Sequence, residues 1–324
     1  QNGKLIKRLD SAFSMPPREG NLVKYSFPVK LQRGRNNIRV SACNEDHYES
    51  SMAFTEVAWE TFTTPTANLY ILATGINNYK NEKYNLNYAE ADARAFVKAV
   101  KKGGRNIFRN IFTTELYNET ADKKAILQAF ENIISQASEE DVFVFYFAGH
   151  GVLEKDSQDR DQYYLCPVDV TQLYGNSVLL EDKALSAEKL KELSRNVKAQ
   201  KQLVLLDACQ SGGAARAFSY RGSGEEKAII QLARSTGMTV IAASDSEQYA
   251  SEVEELGHGI FTYCLLQALD GIADGTVGDK KVTVGEIRVW LEEQIPELSK
   301  KHKGTVQYPL VYSSGQDFPL VVIE

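Results

Sequence analysis

No apolar run in this sequence approaches the roughly 18 residues that a membrane-spanning helix needs, and no signal peptide opens it. Insertion in a membrane is therefore not expected. No long run of Lys or Arg offsets the formal net charge of -6, which argues against a nucleic-acid partner. The four cysteines (Cys43, Cys166, Cys209 and Cys264) form no CxxC pair and keep no regular spacing, so neither a zinc site nor a disulfide framework is suggested. Unpaired thiols fit a reducing compartment, and the expected location is cytoplasmic. No GxGxxG or P-loop follows the first core strand, where Gly75-Ile76-Asn77-Asn78 stands, so a flavodoxin- or nucleotide-type binding module is disfavoured. Ser211 lies in no GxSxG, which sets a serine hydrolase aside. No internal repeat is visible.

What remains is an ordinary globular composition: 324 residues, 43% hydrophobic and 25% charged, enough for one large domain or two smaller ones. Gln1 is not a natural initiator, so a longer parent chain is expected. Residues 1–64 read as a small β module of immunoglobulin-like type. Tyr25, Phe27, Val29 and Leu31 alternate with polar neighbours, Arg33 to Asn37 turn the chain, and Ile38, Val40 and Ala42 alternate again. That pattern predicts a hairpin with one buried face, with a further strand near Val57, Trp59 and Phe62. Thr63-Thr64-Pro65-Thr66 is the expected linker to a second domain, 65–324.

In that second part strand and helix patterns alternate, which predicts a doubly wound, mostly parallel six-stranded α/β sheet. Asn87, with Glu90 three residues on, predicts the cap of a helix through Lys101 whose inward stripe is Ala89, Ala93, Phe96, Val97 and Val100. Ile107 to Phe112 is a short strand candidate. Thr120 is the expected cap of the next helix, Ser186 of another through Leu193, and Thr283 with Glu286 of one ending before Pro296. A further helix is expected over 225–234, an apolar one over 259–269, and a last strand over 308–312.

Two buried strands end on reactive side chains. Val142 to Phe147 leads to Ala148-Gly149-His150-Gly151, and Leu203 to Leu206 leads to Asp207-Ala208-Cys209-Gln210-Ser211-Gly212. In open α/β sheets the ligand crevice lies at the C-terminal ends of the strands. A cysteine behind a buried strand is ordinarily an inert small hydrophobe, but a histidine delivered to the same end makes a Cys/His nucleophile pair. His258 reads as a helix-start residue.

Tyr146-Phe147-Ala148-Gly149-His150-Gly151 and Asp207-Ala208-Cys209 resemble the two motifs of the caspase-like cysteine peptidases, in their metacaspase and bacterial orthocaspase branch. Leu86 to Ala93, Ala242-Ala243-Ser244 and Gly257 to Thr262 extend the likeness over about 69–310. Ala148 departs from the pattern, since many relatives carry Ser there. The resemblance implies peptide-bond cleavage by a Cys209 nucleophile and a His150 base. It implies an oxyanion site at the backbone N–H groups of Gly151 and Cys209, glycine letting the substrate carbonyl approach closely. It matches Asp92 and Asp207 to the acidic residues of the first specificity pocket, hence a protein or peptide partner cut after Arg, then Lys. It also makes the acidic loop with Asp156, Asp159 and Asp161 a calcium candidate, against the alternative of a solvated loop; no other cofactor is expected. The Gly-rich stretch 213–224 is a self-cleavage candidate at Arg216 and Arg221. Bacterial relatives often join such domains to sensor or repeat regions, and the β module is a candidate remnant of one. A catalytically silent scaffold of the same fold is the alternative function.

Overall fold

A computed structural model of the chain describes residues 1, 18–19, 22–23, 26, 28–31, 34–42, 50–59, 66–210, 238–243, 252–275, 278–313 and 315–323. Near the N-terminus β1 (Gly34–Val40) pairs antiparallel with β2 (Ala53–Trp59), Gly34 opposite Trp59 and Val40 opposite Ala53. This corrects the expected hairpin: Asn36 and Asn37 are strand, not turn. The expected buried face is only partly present among the described residues: Val29, Leu31, Ile38 and Val57 are half-buried, but Val40 is 52% exposed.

From residue 66 the chain alternates strand and helix. In order come β3 (Leu69–Gly75), α1 (Ala89–Gly103), β4 (Ile111–Tyr117), α2 (Lys123–Gln136), β5 (Val142–Lys155), β6 (Asp161–Cys166) and α3 (Ser177–Lys183). Then follow β7 (Leu185–Ser186), α4 (Ala187–Asn196), β8 (Lys201–Gln210), β9 (Thr239–Ala242), β10 (Glu252–Val253), β11 (His258–Gly259) and α5 (Ile260–Gln267). The chain closes with β12 (Lys281–Thr283), α6 (Val284–Lys303), β13 (Leu310–Ser313) and β14 (Pro319–Val322). The main sheet has the order β13-β9-β8-β5-β3-β4, parallel except for β13, as the six-stranded expectation has it. β6 and β7 enlarge it, β6 pairing antiparallel with the far half of β5.

Strands buried on both faces need apolar residues at every position, which is why the central runs do not alternate. Successive side chains nonetheless go to opposite layers. Leu203 and Leu205 join Val144, Tyr146 and the stripes of α1, α5 and α6. Val204 and Leu206 join Phe143, Phe145 and those of α2 and α4. This is a three-layer α/β sandwich.

Local signals were partly overruled. The α1 stripe is buried as expected, but Asn87 does not cap the helix. Its Glu90 N–H donates to Asn77 Oδ1 (2.9 Å), from the loop after β3. Asp122, not Thr120, caps α2, accepting from the Ala125 N–H at 2.7 Å. The strand sought at 107–112 is β4, displaced to Ile111–Tyr117. The Ser186 cap and the Thr283/Glu286 capping box are present, yet α6 runs through Pro296 to Lys303. A proline inside a helix costs about 3 kcal/mol; here Ile287, Leu291, Ile295 and Ser299 keep one buried stripe on both sides of it. The stretches 213–224 and 225–234, with Arg216 and Arg221, lie outside the described residues.

Candidate active site

Both motif strands continue beyond the points where their apolar runs end. β5 carries on through His150 to Lys155 because β6 supplies a new antiparallel partner, and β8 extends through Cys209 to Gln210. The parallel ladder places Cys209 opposite His150, one strand apart, and Cys166 of β6 lies opposite His150 on the other side. His150 and Asp207 fall at positions whose parity matches Tyr146 and Leu205, toward the layer that holds α1 and α5.

His150 is 2% exposed and firmly held. Its Nε2 lies 2.8 Å from the carbonyl oxygen of Tyr84, and its backbone N–H donates to the Tyr79 hydroxyl at 2.8 Å. A carbonyl oxygen only accepts, so Nε2 carries the proton and Nδ1 is the basic nitrogen of the neutral ring. The Tyr79 hydroxyl in turn donates to the Cys166 carbonyl at 3.2 Å. Burial holds the Tyr79 phenol well above its ordinary range, so that proton stays in place. The rings of Tyr79 and Tyr84 flank the imidazole, with centroids at 5.0 and 5.9 Å.

These tyrosines ride on the loop between β3 and α1, which asparagines tie down. Asn118, at φ 47°, accepts from the N–H groups of Asn77 and Asn78 at 2.8 and 3.0 Å, and its amide nitrogen donates to Glu90. Asn85 accepts from the Tyr79 N–H at 2.8 Å. Asparagine suits both tasks: it tolerates left-handed backbone and its amide mimics a peptide. Tyr79, Tyr84, Asn77 and Asn118 escaped the sequence reading; the signal was the asparagine cluster after β3, weighed there only for its lack of a phosphate loop.

At Gly151 the need for glycine has a cause other than the approach of a substrate. A Cβ there would lie 2.1 Å from the Tyr163 hydroxyl, which donates to the Ala208 carbonyl at 3.2 Å and so ties β6 to β8. Ala148 is buried in the core beneath α1.

Asp92 and Asp207, 115 positions apart in the numbering, converge on one point. A Cβ built on Gly259 would sit 3.2 Å from Oδ2 of each. Asp92 is 3% exposed; its Oδ2 accepts the Gly259 N–H at 3.1 Å and its Oδ1 meets His258 Nδ1 at 2.5 Å. His258, beyond its place before α5, is thus a partner of that carboxylate. Asp207 Oδ2 accepts the Thr262 hydroxyl at 2.6 Å, and Thr262 Oγ1 lies 2.6 Å from the Tyr146 hydroxyl. With the Thr262 proton committed to Asp207, Tyr146 must donate to Thr262. Burial, then the charges of Asp207 and Asp92, keep the Tyr146 phenol protonated. Phe96 of α1 stacks on that tyrosine at 4.7 Å. Two carboxylates and a chain of donors thus meet around Gly259.

The acidic loop is organised differently. Asp156 pairs with Arg160 at 2.7 Å and Asp161 with Lys155 at 3.0 Å, while Asp159 takes positive φ at the turn. Among the described residues no group of three or more His, Cys, Asp or Glu converges as a metal site would. Burial drives the Cys166 thiol far up and the Cys264 thiol to about 12, so neither offers a thiolate near neutral pH. Cys43 lies outside the described residues.

None of the curated protein sequences matches this chain. Protein GSU0716 from Geobacter sulfurreducens, a solved crystal structure, superposes with a TM-score of 0.52 at 18% identity, covering 79% of this chain and 100% of its own. At that identity the likeness speaks for the fold alone. The family model described as the caspase domain of the C14 peptidases matches residues 70–317. That span runs from β3 to the residues just before β14 and takes in both motif strands, the two aspartates and the loop that holds His150, and on it the chain belongs to the caspase-domain family of C14 peptidases.

Proposed function

We propose that this protein is a cysteine endopeptidase of metacaspase or orthocaspase type that cleaves peptide bonds after Arg, then Lys. The observation that carries the reading is the register of Cys209 against His150, with the imidazole fixed through Nε2 on the Tyr84 carbonyl. His150 Nδ1 takes the Cys209 proton, and the thiolate attacks the scissile carbonyl carbon. The backbone N–H groups of Gly151 and Cys209 receive the developing oxyanion. As the tetrahedral species collapses, the imidazolium returns its proton to the leaving amine and an acyl-enzyme remains. His150 then draws a proton from water, which attacks the thioester and releases the acid. Every step uses groups of this chain. The convergence of Asp92 and Asp207 at Gly259 supports the basic preference, since the planar fork of arginine meets carboxylates bidentately.

The test is a peptide library cleaved by the parent protein, Cys209→Ala, His150→Ala and Asp207→Ala. Each of the first two is expected to lose at least about 10³-fold in turnover, since such residues act as a unit. Asp207→Ala is expected to depress cleavage after Arg far more than alkylation of Cys209 by iodoacetamide. Turnover surviving in Cys209→Ala, or hydrolysis after Asp with Arg and Lys peptides inert, would overturn the reading.

A further inference from the structure

We infer that His258 is a built-in cation that competes with a basic substrate side chain for the Asp92–Asp207 pair, so that the proton on its imidazole sets how strongly the pocket takes arginine. The inference rests on the basic preference proposed above and names the residue that tunes it.

The geometry is explicit. Both oxygens of Asp92 have partners from β11: Oδ1 meets the imidazole and Oδ2 the Gly259 N–H. An arginine fork that engages Asp92 in the niche beside Gly259 must share or displace the His258 contact. His258 is half-buried, its side chain 25% exposed, so it is held on the carboxylate yet within reach of solvent protons. Two charged groups act on it: Asp92 from α1 and Asp207 from β8. The cavity that its side chain lines is also lined by Lys98 and Lys102 of α1, Tyr263 of α5 and Asp270 of the π-helical segment Ala268–Ile272. Glu254 and Glu255 stand on the turn just before β11.

The hydrogen bond to Asp92 raises the imidazole above its ordinary 6.5 against the opposing effect of burial, and the charges of Asp92 and Asp207 add to the rise. The imidazole therefore holds its proton to a higher pH than a free histidine does. With the proton on, the three side chains carry one net negative charge; with it off, two. Arginine stays charged throughout. Raising the pH thus removes the competitor and strengthens arginine binding, independently of what the nucleophile does.

The experiment measures binding of a fluorescent peptide ending in arginine at the cleavage position, in the full chain with Cys209→Ala, between about pH 5.5 and about pH 8.5. A citrulline peptide, the neutral counterpart, is the control. In the parent background the arginine Kd is expected to fall roughly three- to five-fold as pH rises, the scale of a partly exposed ion pair, with citrulline flat. His258→Asn keeps a neutral donor at the Nδ1 position and should bind arginine tightly at every pH. His258→Lys keeps a permanent charge and should bind weakly at every pH, which separates a competing cation from a merely structural side chain. Parallel pH profiles in the parent and both variants would overturn this inference and leave the basic preference standing. Equal binding of arginine and citrulline peptides at every pH would overturn both.

Discussion

Tyr79 carries two hydrogen bonds on one hydroxyl, accepting from the His150 N–H and donating to the Cys166 carbonyl. It touches the proposed base without taking part in proton transfer, which makes it a positioning residue. Tyr79→Phe keeps the ring against the imidazole and removes both bonds. A buried backbone group that loses its partner costs about 1–3 kcal/mol. The expected outcome is a variant destabilised by that amount in urea, with kcat roughly tenfold lower, equivalent to about 1.4 kcal/mol of barrier, and KM little changed. An unaltered kcat in a destabilised variant would reduce Tyr79 to a packing residue. The other residue-scale findings have the same character: the side chains that hold His150 and Asp92 come from distant segments, and the Asp92–His258 contact joins positions 166 apart.

At the scale of elements, α1 is where local and tertiary signals part. Asn87 and Glu90 have the spacing of a capping box, yet the helix starts at Ala89 and the Asn77 side chain takes the Glu90 N–H. The amide of Asn77 also donates to the Asn87 carbonyl at 2.9 Å, so one residue fixes both ends of the loop that presents Tyr79 and Tyr84. Asn77→Ala is expected to cost about 1–2 kcal/mol in urea denaturation, the worth of a cap, and to lower peptidase turnover. Asn87→Ala is expected to cost less than Asn77→Ala, since it is Asn77 that holds the Glu90 N–H. The reverse order would restore the local cap. The unbroken apolar strands, the helix stripes and the Thr283/Glu286 box were legible because they depend on neighbours along the chain. The pairing of the two motif strands was legible in the same way, since His150 and Cys209 each follow a buried run. The continuation of β5 past its apolar run was not, because its partner β6 returns only after a turn. Nor was the passage of α6 through Pro296, where burial of Ile287, Leu291 and Ile295 outweighs the local cost. Thr262 behind Asp207 was hidden for a third reason: a threonine in an apolar helix gives no sign of which carboxylate it will meet.

For the whole molecule, the decisive feature is that β8 and β5 stay in unbroken register from Lys201 opposite Val142 to Gln210 opposite Gly151. Nucleophile and base, as proposed, therefore face each other across one rung of the central sheet's β5–β8 ladder and are not residues on two independent loops. Parting them requires opening the β5–β8 ladder itself. Catalytic competence becomes a property of global cooperativity. In a urea titration, peptidase activity and the far-UV signal of the sheet are expected to fall along one curve with a common midpoint. Activity that disappears while the sheet signal is intact would mean that the dyad depends on a softer part of the chain.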